Sequence, residues 1–172
     1  MTKQYKVGRG KRYTVYVPNE VGYGVDVSVQ LTCSQPFLAE RPMYFDYTTY
    51  GADWQGGHCV IGSTTSAKEW FFAEGYTGQN FQEWLCLQNP GTQSATVLVT
   101  YYTQEVGQLS ARTIIVPPKT RQTVMVNENA GANYHLSCRL NVLTGSGIIV
   151  ERPRYFNYNG WDGGHDVVGY IP

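Results

Sequence analysis

Apolar and polar residues alternate with a period of two along most of this chain. Val25, Val27, Val29, Leu31 and Cys33 are separated by Asp26, Ser28, Gln30 and Thr32. Ala95, Val97, Val99 and Tyr101 alternate with Thr96, Leu98 and Thr100, and Leu136, Cys138, Leu140 and Val142 with Ser137, Arg139 and Asn141. Such a pattern gives each segment one dry and one wetter face, as in antiparallel strands. Turn residues punctuate the runs at Asn89-Pro90-Gly91, Pro117-Pro118, Asn127 to Gly131, Gly145-Ser146-Gly147 and Gly163-Gly164. Short strands at this spacing predict an all-β chain, an antiparallel β-sandwich of the immunoglobulin-like kind. No segment has a convincing helical period. Ser66 to Phe72 could open a helix from a Ser cap, but the pattern favours a strand entering at Trp70.

The chain also repeats itself, which bears on its organisation. ERPMYFDYTTYGADWQGGHCVIG, residues 40–62, returns as ERPRYFNYNGWDGGHDVVGY, residues 151–170. Upstream, Gln4–Val7 matches Thr113–Val116, Arg12–Val17 matches Arg121–Val126, Val25–Leu31 matches Leu136–Val142, and Phe37–Glu40 matches Ile148–Glu151. Order is kept and the gaps are small. Residues from about 63 to 110 have no second counterpart. The predicted organisation is a complete sandwich unit over 63–172, preceded over 1–62 by the C-terminal portion of another.

Composition narrows the function classes. With 42% hydrophobic and 14% aromatic residues in 172, the chain can build a real core. Lys+Arg and Asp+Glu cancel at 13 each, so no long-range field gathers phosphates and nucleic acid is not an expected partner. No stretch reaches the roughly 18 apolar residues of a spanning helix, so no membrane span is expected. The first residues, MTKQYKVGRGKRYTVYV, hold charges but no apolar segment of a signal peptide. The basic residues there, Lys3, Lys6, Arg9, Lys11 and Arg12, read as the wet face of a strand and turn.

The segments WFFAEGYTG (70–78), EWLCLQNPG (83–91), VERPRYF (150–156) and GGHDVVGY (163–170) are distinctive in combination. Together they resemble a repeat domain of unknown function found in tandem in secreted bacterial surface proteins. The resemblance covers 63–172 as one unit and 1–62 as a partial one. It implies an extracellular β-sandwich used in tandem on the cell surface; the role expected of it is structural or adhesive, and no cofactor is expected. It carries over no catalytic residue.

The residues themselves offer little enzyme chemistry. His58 and His165 match after a Gly-Gly pair, but their neighbours do not: Cys59 stands against Asp166 and Gln55 against Asp162. A metal or acid–base site needs its partner groups, so these histidines are weak metal candidates and read as structural. Glu40 and Glu151 recur in Glu-Arg-Pro triplets without a recurring second carboxylate, since Asp46 becomes Asn157. The triplets read as Glu–Arg contacts beside a strand edge or bulge marked by proline. No nucleophile triad, phosphate loop or CxxC is present, and the expectation is that the protein is not an enzyme. Aromatic residues near the Gly-Gly turns, Tyr47, Trp54, Tyr158 and Trp161, are candidates for stacking on sugar rings. Cys33, Cys59, Cys86 and Cys138 are disulfide candidates. The pairing that keeps each unit self-contained is Cys33–Cys59 with Cys86–Cys138, and free thiols are the alternative.

A sandwich lacking its leading strands exposes an edge and an apolar face. The expected function is therefore structural: self-assembly into a surface fibre or layer through the incomplete first unit, the chain being its own partner. The alternative is a carbohydrate-binding module whose partners are cell-surface glycans.

Overall fold

The computed structural model describes residues 1–49 and 52–172, with side chains for all of these except Tyr47, Thr49 and Ala52. In chain order the elements are α1 (Val17–Val21), β1 (Glu40–Thr49), β2 (Ala52–Ile61), β3 (Glu69–Phe72), β4 (Phe81–Gln88), β5 (Ala95–Thr103) and β6 (Gly107–Gln108). There follow β7 (Arg112–Val116), β8 (Arg121–Met125), α2 (Val126–Asn129), β9 (Leu136–Thr144), β10 (Ile149–Tyr158) and β11 (Trp161–Val168). All pairings among the described residues are antiparallel.

Two sheets form a sandwich. One has the order β11-β10-β4-β8; in the other β3, β9 and β5 run side by side, with β6 and β7 along the far edge of β5. The period-two pattern decides what lies between them. Trp70 and Phe72 of β3, Leu85 and Leu87 of β4, Val97, Val99 and Tyr101 of β5, Leu140 of β9 and Val150 of β10 form one buried cluster. Each such aliphatic or aromatic side chain contributes about 1.5–3 kcal/mol by leaving water. Strands β3 to β11 thus build the two sheets of the expected β-sandwich.

Residues 1–61 behave differently. β1 and β2 form a hairpin of their own. Residues 1–39, the arm, form no strand. The expected strand over Val25–Cys33 is absent: Val25, Val29 and Leu31 are 53%, 54% and 56% exposed. The reason is visible in the second unit. There β9 is held by β3 and β5, and β8 by β4. Those partners come from residues 69–103, which have no equivalent among residues 1–62, and an alternating segment without a ladder partner gains too little to order as a strand. Local conformation is nevertheless retained. Gly10 and its matched residue Lys119 share a positive φ (65° and 58°), and α1 begins at Val17 as α2 begins at the matched Val126.

Two further expectations are corrected. Pro153 marks no edge, since β10 lies between β4 and β11. The proline is accommodated by a break in the ladder to β4, where pairing stops at Glu151↔Cys86 and resumes at Arg154↔Glu83. The cysteines are all free rather than bridged. With Leu85 and Leu87 turned into the core, Cys86 faces the other side of β4, while Cys138 lies in the core itself. The alternation that builds the sandwich separates them. Cys33 and Cys59 are both exposed and unpaired.

Candidate functional site

Hairpins β1–β2 and β10–β11 carry the matched sequence, and they pair in the same register. Tyr44↔Gly57 corresponds to Tyr155↔Gly164, and Met43↔His58 to Arg154↔His165. Each hairpin has two faces. The inner face holds Arg41, Phe45, Trp54, His58 and Val60 in the first, and Arg152, Phe156, Trp161, His165 and Val167 in the second. The outer face holds Pro42, Tyr44, Gly57 and Cys59 in the first, and Pro153, Tyr155, Gly164 and Asp166 in the second. In the second hairpin the inner face turns toward the sandwich core: Arg152 is 4% exposed and Val167 packs on the cluster. The first hairpin has no second sheet to cover its inner face. It lays that face on the outer face of β10–β11 instead.

No backbone ladder among the described residues holds this contact; side chains do, with one bond to a backbone carbonyl. Phe45 meets the Tyr155 ring edge-on at 4.9 Å. Gly164 makes room for it, since a Cβ there would lie 2.6 Å from two Phe45 ring atoms. Trp54 is 1% exposed and Val60 8%. The Asn157 amide donates to the Asp53 carbonyl at 3.2 Å. Arg41 reaches across and donates to Glu151 at 3.0 Å through one nitrogen and to Asp166 through the other. Burial pushes the Asp166 carboxyl up to about 6, with the Glu151 charge adding to it and Arg41 opposing. The other Asp166 oxygen has no hydrogen-bond partner among the described residues. Beside it the imidazole of His58 is held neutral to lower pH by burial and by the Arg41 charge.

The matched arginine of the second hairpin meets different groups. Arg152 approaches Glu74 at 3.5 Å and lies over the Phe72 ring, and Arg154 donates to the same Glu74. Next to them Glu83 is fully buried, accepting a bond from the Tyr76 N–H at 2.9 Å. Burial raises its carboxyl to about 7 despite the nearby arginines, chiefly Arg152. Gly75 is required here, because a Cβ would sit 2.5 Å from both Glu83 oxygens. Asn127 ties the turn together, accepting from the Glu83 N–H and donating to the Phe81 carbonyl. The AEGYTG and ERPRYF segments are thus two halves of one clasp closing an end of the sandwich.

The sugar candidates separate. Tyr158 and Trp161 face each other across the tip of the second hairpin, 57% and 76% exposed. Asn159 and Gly160 between them both have positive φ, as a tight two-residue hairpin requires. Trp54 is buried and walls a cleft of about 260 Å³ with Phe81, Met125 and Asn127. The side chain of Tyr47 lies outside the described residues. His58 packs near Phe45 and Tyr155, and burial also keeps His165 neutral to lower pH. Among the described residues no group of three or more His, Cys, Asp or Glu is placed to hold a metal. Glu40 sits at the start of β1 on the exposed side, while Glu151 takes Arg41.

The sequence offered a signal for the interface that pairwise motifs hid. Where the two hairpins differ, they differ at the contact: Asp166 against Cys59 supplies a second acid for Arg41. Met43 against Arg154 removes a charge for which the first hairpin has no Glu74. Glu83 and Gly75 occur only once, so repetition could not mark them.

Residues 47–147, more than half the chain, match the family of unknown function DUF5719. A crystal structure of Thermotoga maritima 1070 superposes with a TM-score of 0.57 at 16% identity, covering 63% of this chain and 97% of that one, a likeness of fold. The Anabaena sensory rhodopsin transducer gives a TM-score of 0.45 at 19% identity over 52% of this chain and 90% of its own. Comparison with curated proteins gives no match. No helix among the described residues is long and apolar enough to cross a membrane.

Proposed function

The chain belongs to the family of unknown function DUF5719, and from that premise we propose a structural, non-enzymatic module of the cell exterior, built of immunoglobulin-like tandem units, that assembles with copies of itself by exchanging its first hairpin. The observation that supports this is the docking of hairpin β1–β2 on the outer face of β10–β11 through side-chain contacts rather than a shared strand ladder. No ladder among the described residues joins the two, and residues 62–66 are the covalent link between the hairpin and the sandwich, which Ala67 enters by pairing with Ile148. The same contact between two copies costs no interaction made within one. Because an inner face meets an outer face, one-way exchange is a heterologous contact, which builds an open string where its rotation closes no ring; reciprocal exchange closes a dimer instead. Light scattering with negative-stain microscopy over a concentration series tests the reading. Strings that lengthen with concentration, and that Arg41→Ala shortens, are expected. A monomer at every concentration rejects it.

A second reading has its own observation: Tyr158 and Trp161 stand exposed side by side at one tip. Rings so placed suit stacking on the faces of sugars. Glycan-array binding that Trp161→Ala abolishes, with the fold intact, is the outcome this reading requires.

A further inference from the structure

The arm raises a separate question of partnership. Three of its apolar residues are exposed where their matched residues are in the core. Val7 is 55% exposed and Val116 fully buried; Val29 is 54% exposed and Leu140 fully buried; Leu31 is 56% exposed and Val142 5%. The arm already holds the turn at Gly10 and the helical turn at Val17 that the second unit uses at Lys119 and Val126. β1 also has an open edge, for the matched strand β10 pairs with β4 along it. What these surfaces lack is one continuous piece of chain, the counterpart of β3, β4 and β5.

We propose that residues 1–61 are a receptor for a polypeptide segment with the strand pattern of residues 69–104, and that binding it releases the first hairpin from the β10–β11 face. This goes beyond hairpin exchange and fails separately from it. The second unit specifies the register. The residue of the incoming segment at the place of Val99 lies opposite Val29, that of Val97 opposite Leu31, that of Ala95 opposite Val7, and that of Leu85 opposite Val15. Charge specifies it further. Arg41 is retained, so the segment carries an acid at the place of Glu74, which takes the matched Arg152. Met43 replaces Arg154, so an acid at the place of Glu83 would be buried with one of its two neighbouring arginines missing. An uncharged residue belongs there.

Release of the hairpin follows from the double use of its inner face. In a completed sandwich Arg41 and Val60 take the core positions of Arg152 and Val167, and they cannot at once cover Asp166 and Glu151. Among residues 1–172 the one such segment is already built into its own unit, so a second copy is a poor source of it, and the occupant is a segment of this pattern from outside residues 1–172.

The probe is a peptide of residues 69–104 with Glu83→Gln, added to the whole 172-residue chain. Expected is saturable one-to-one binding, with amide exchange over residues 12–17 and 25–31 slowed at least tenfold and Trp54 becoming more exposed. The peptide with its native Glu83 should bind at least tenfold more weakly, and Val29→Asp in the chain should abolish the protection. Strings formed by hairpin exchange should shorten as peptide is added; if no strings form, arm protection still decides this proposal alone. In a second experiment residues 63–110 with the Glu83→Gln change are joined ahead of Met1. Tryptic cleavage at Arg9, Lys11 and Arg12 should then slow at least tenfold. Arm amides that stay unprotected with the peptide, and cleavage unchanged in the extended chain, would overturn the proposal. Peptide-independent protection when the chain alone is concentrated would overturn it in favour of a second copy as occupant.

Discussion

Two residues carry more of this molecule than their size suggests. Gly164 is open on one side to the Phe45 ring, and the space is already full. Gly164→Ala is expected to loosen the first hairpin at a cost of about 1–3 kcal/mol, as overpacking does. Because the clash is with Phe45, adding Gly164→Ala to Phe45→Ala should change little, and a double-mutant cycle on hairpin protection checks it. Glu83 is the second. Its folded carboxyl titrates near 7, above its usual 4.5, so the folded state holds the proton more tightly than the unfolded one. The proton's stabilising effect is full below about 4.5 and is lost as pH rises through 7, a swing of about 2–4 kcal/mol. Glu83→Gln should shrink that fall, leaving the share that the raised Asp166 carboxyl contributes as it ionises through about 6, measured by urea unfolding at pH 4.5 and pH 8. A wild-type profile already flat over this range would show that the carboxyl is not strained.

At the level of elements, the sequence was legible wherever an alternating segment also had its partners. β5 and β9 bury the alternate residues that periodicity assigned to the core, and β3 enters near Trp70. The arm was misread by the same rule, because alternation encodes a readiness to pair and says nothing of whether a partner is present. Matched tryptophans make the point within one motif: Trp54 is 1% exposed and Trp161 76%. Their hairpins are alike, and what lies across from each differs. The interface acids were hidden for a related reason, since Arg41 finds Asp166 across 125 positions of sequence. Arg41→Ala should leave Asp166 and Glu151 facing each other without their shared cation. Loss of that part-exposed contact is expected to cost the docked hairpin about 1–3 kcal/mol. Faster proteolysis within residues 62–66, with the sandwich unfolding midpoint unchanged, is the measurement. A fall in the midpoint itself would mean the hairpin is integral to the sandwich.

Across the whole molecule, stability is unevenly held, and matched positions expose the difference. The sandwich over 63–172 owns the continuous core, so its loss should be one cooperative event. The arm contributes none of its exposed apolar residues to that core, and the first hairpin contributes through a side-chain interface. Leu140→Ala removes a fully buried side chain between two sheets and should cost about 2–5 kcal/mol. Val29→Ala changes the matched residue of the arm, which is 54% exposed, and should leave the unfolding midpoint of the free chain unmoved within ±0.5 kcal/mol. Hydrogen exchange should rank the parts accordingly: arm amides fastest, hairpin amides next, β4, β5 and β9 slowest and together. If Val29→Ala destabilises the free chain as Leu140→Ala does, the arm is already paired in solution. Then the partner that completes the first unit is present in the sample and can be isolated from it.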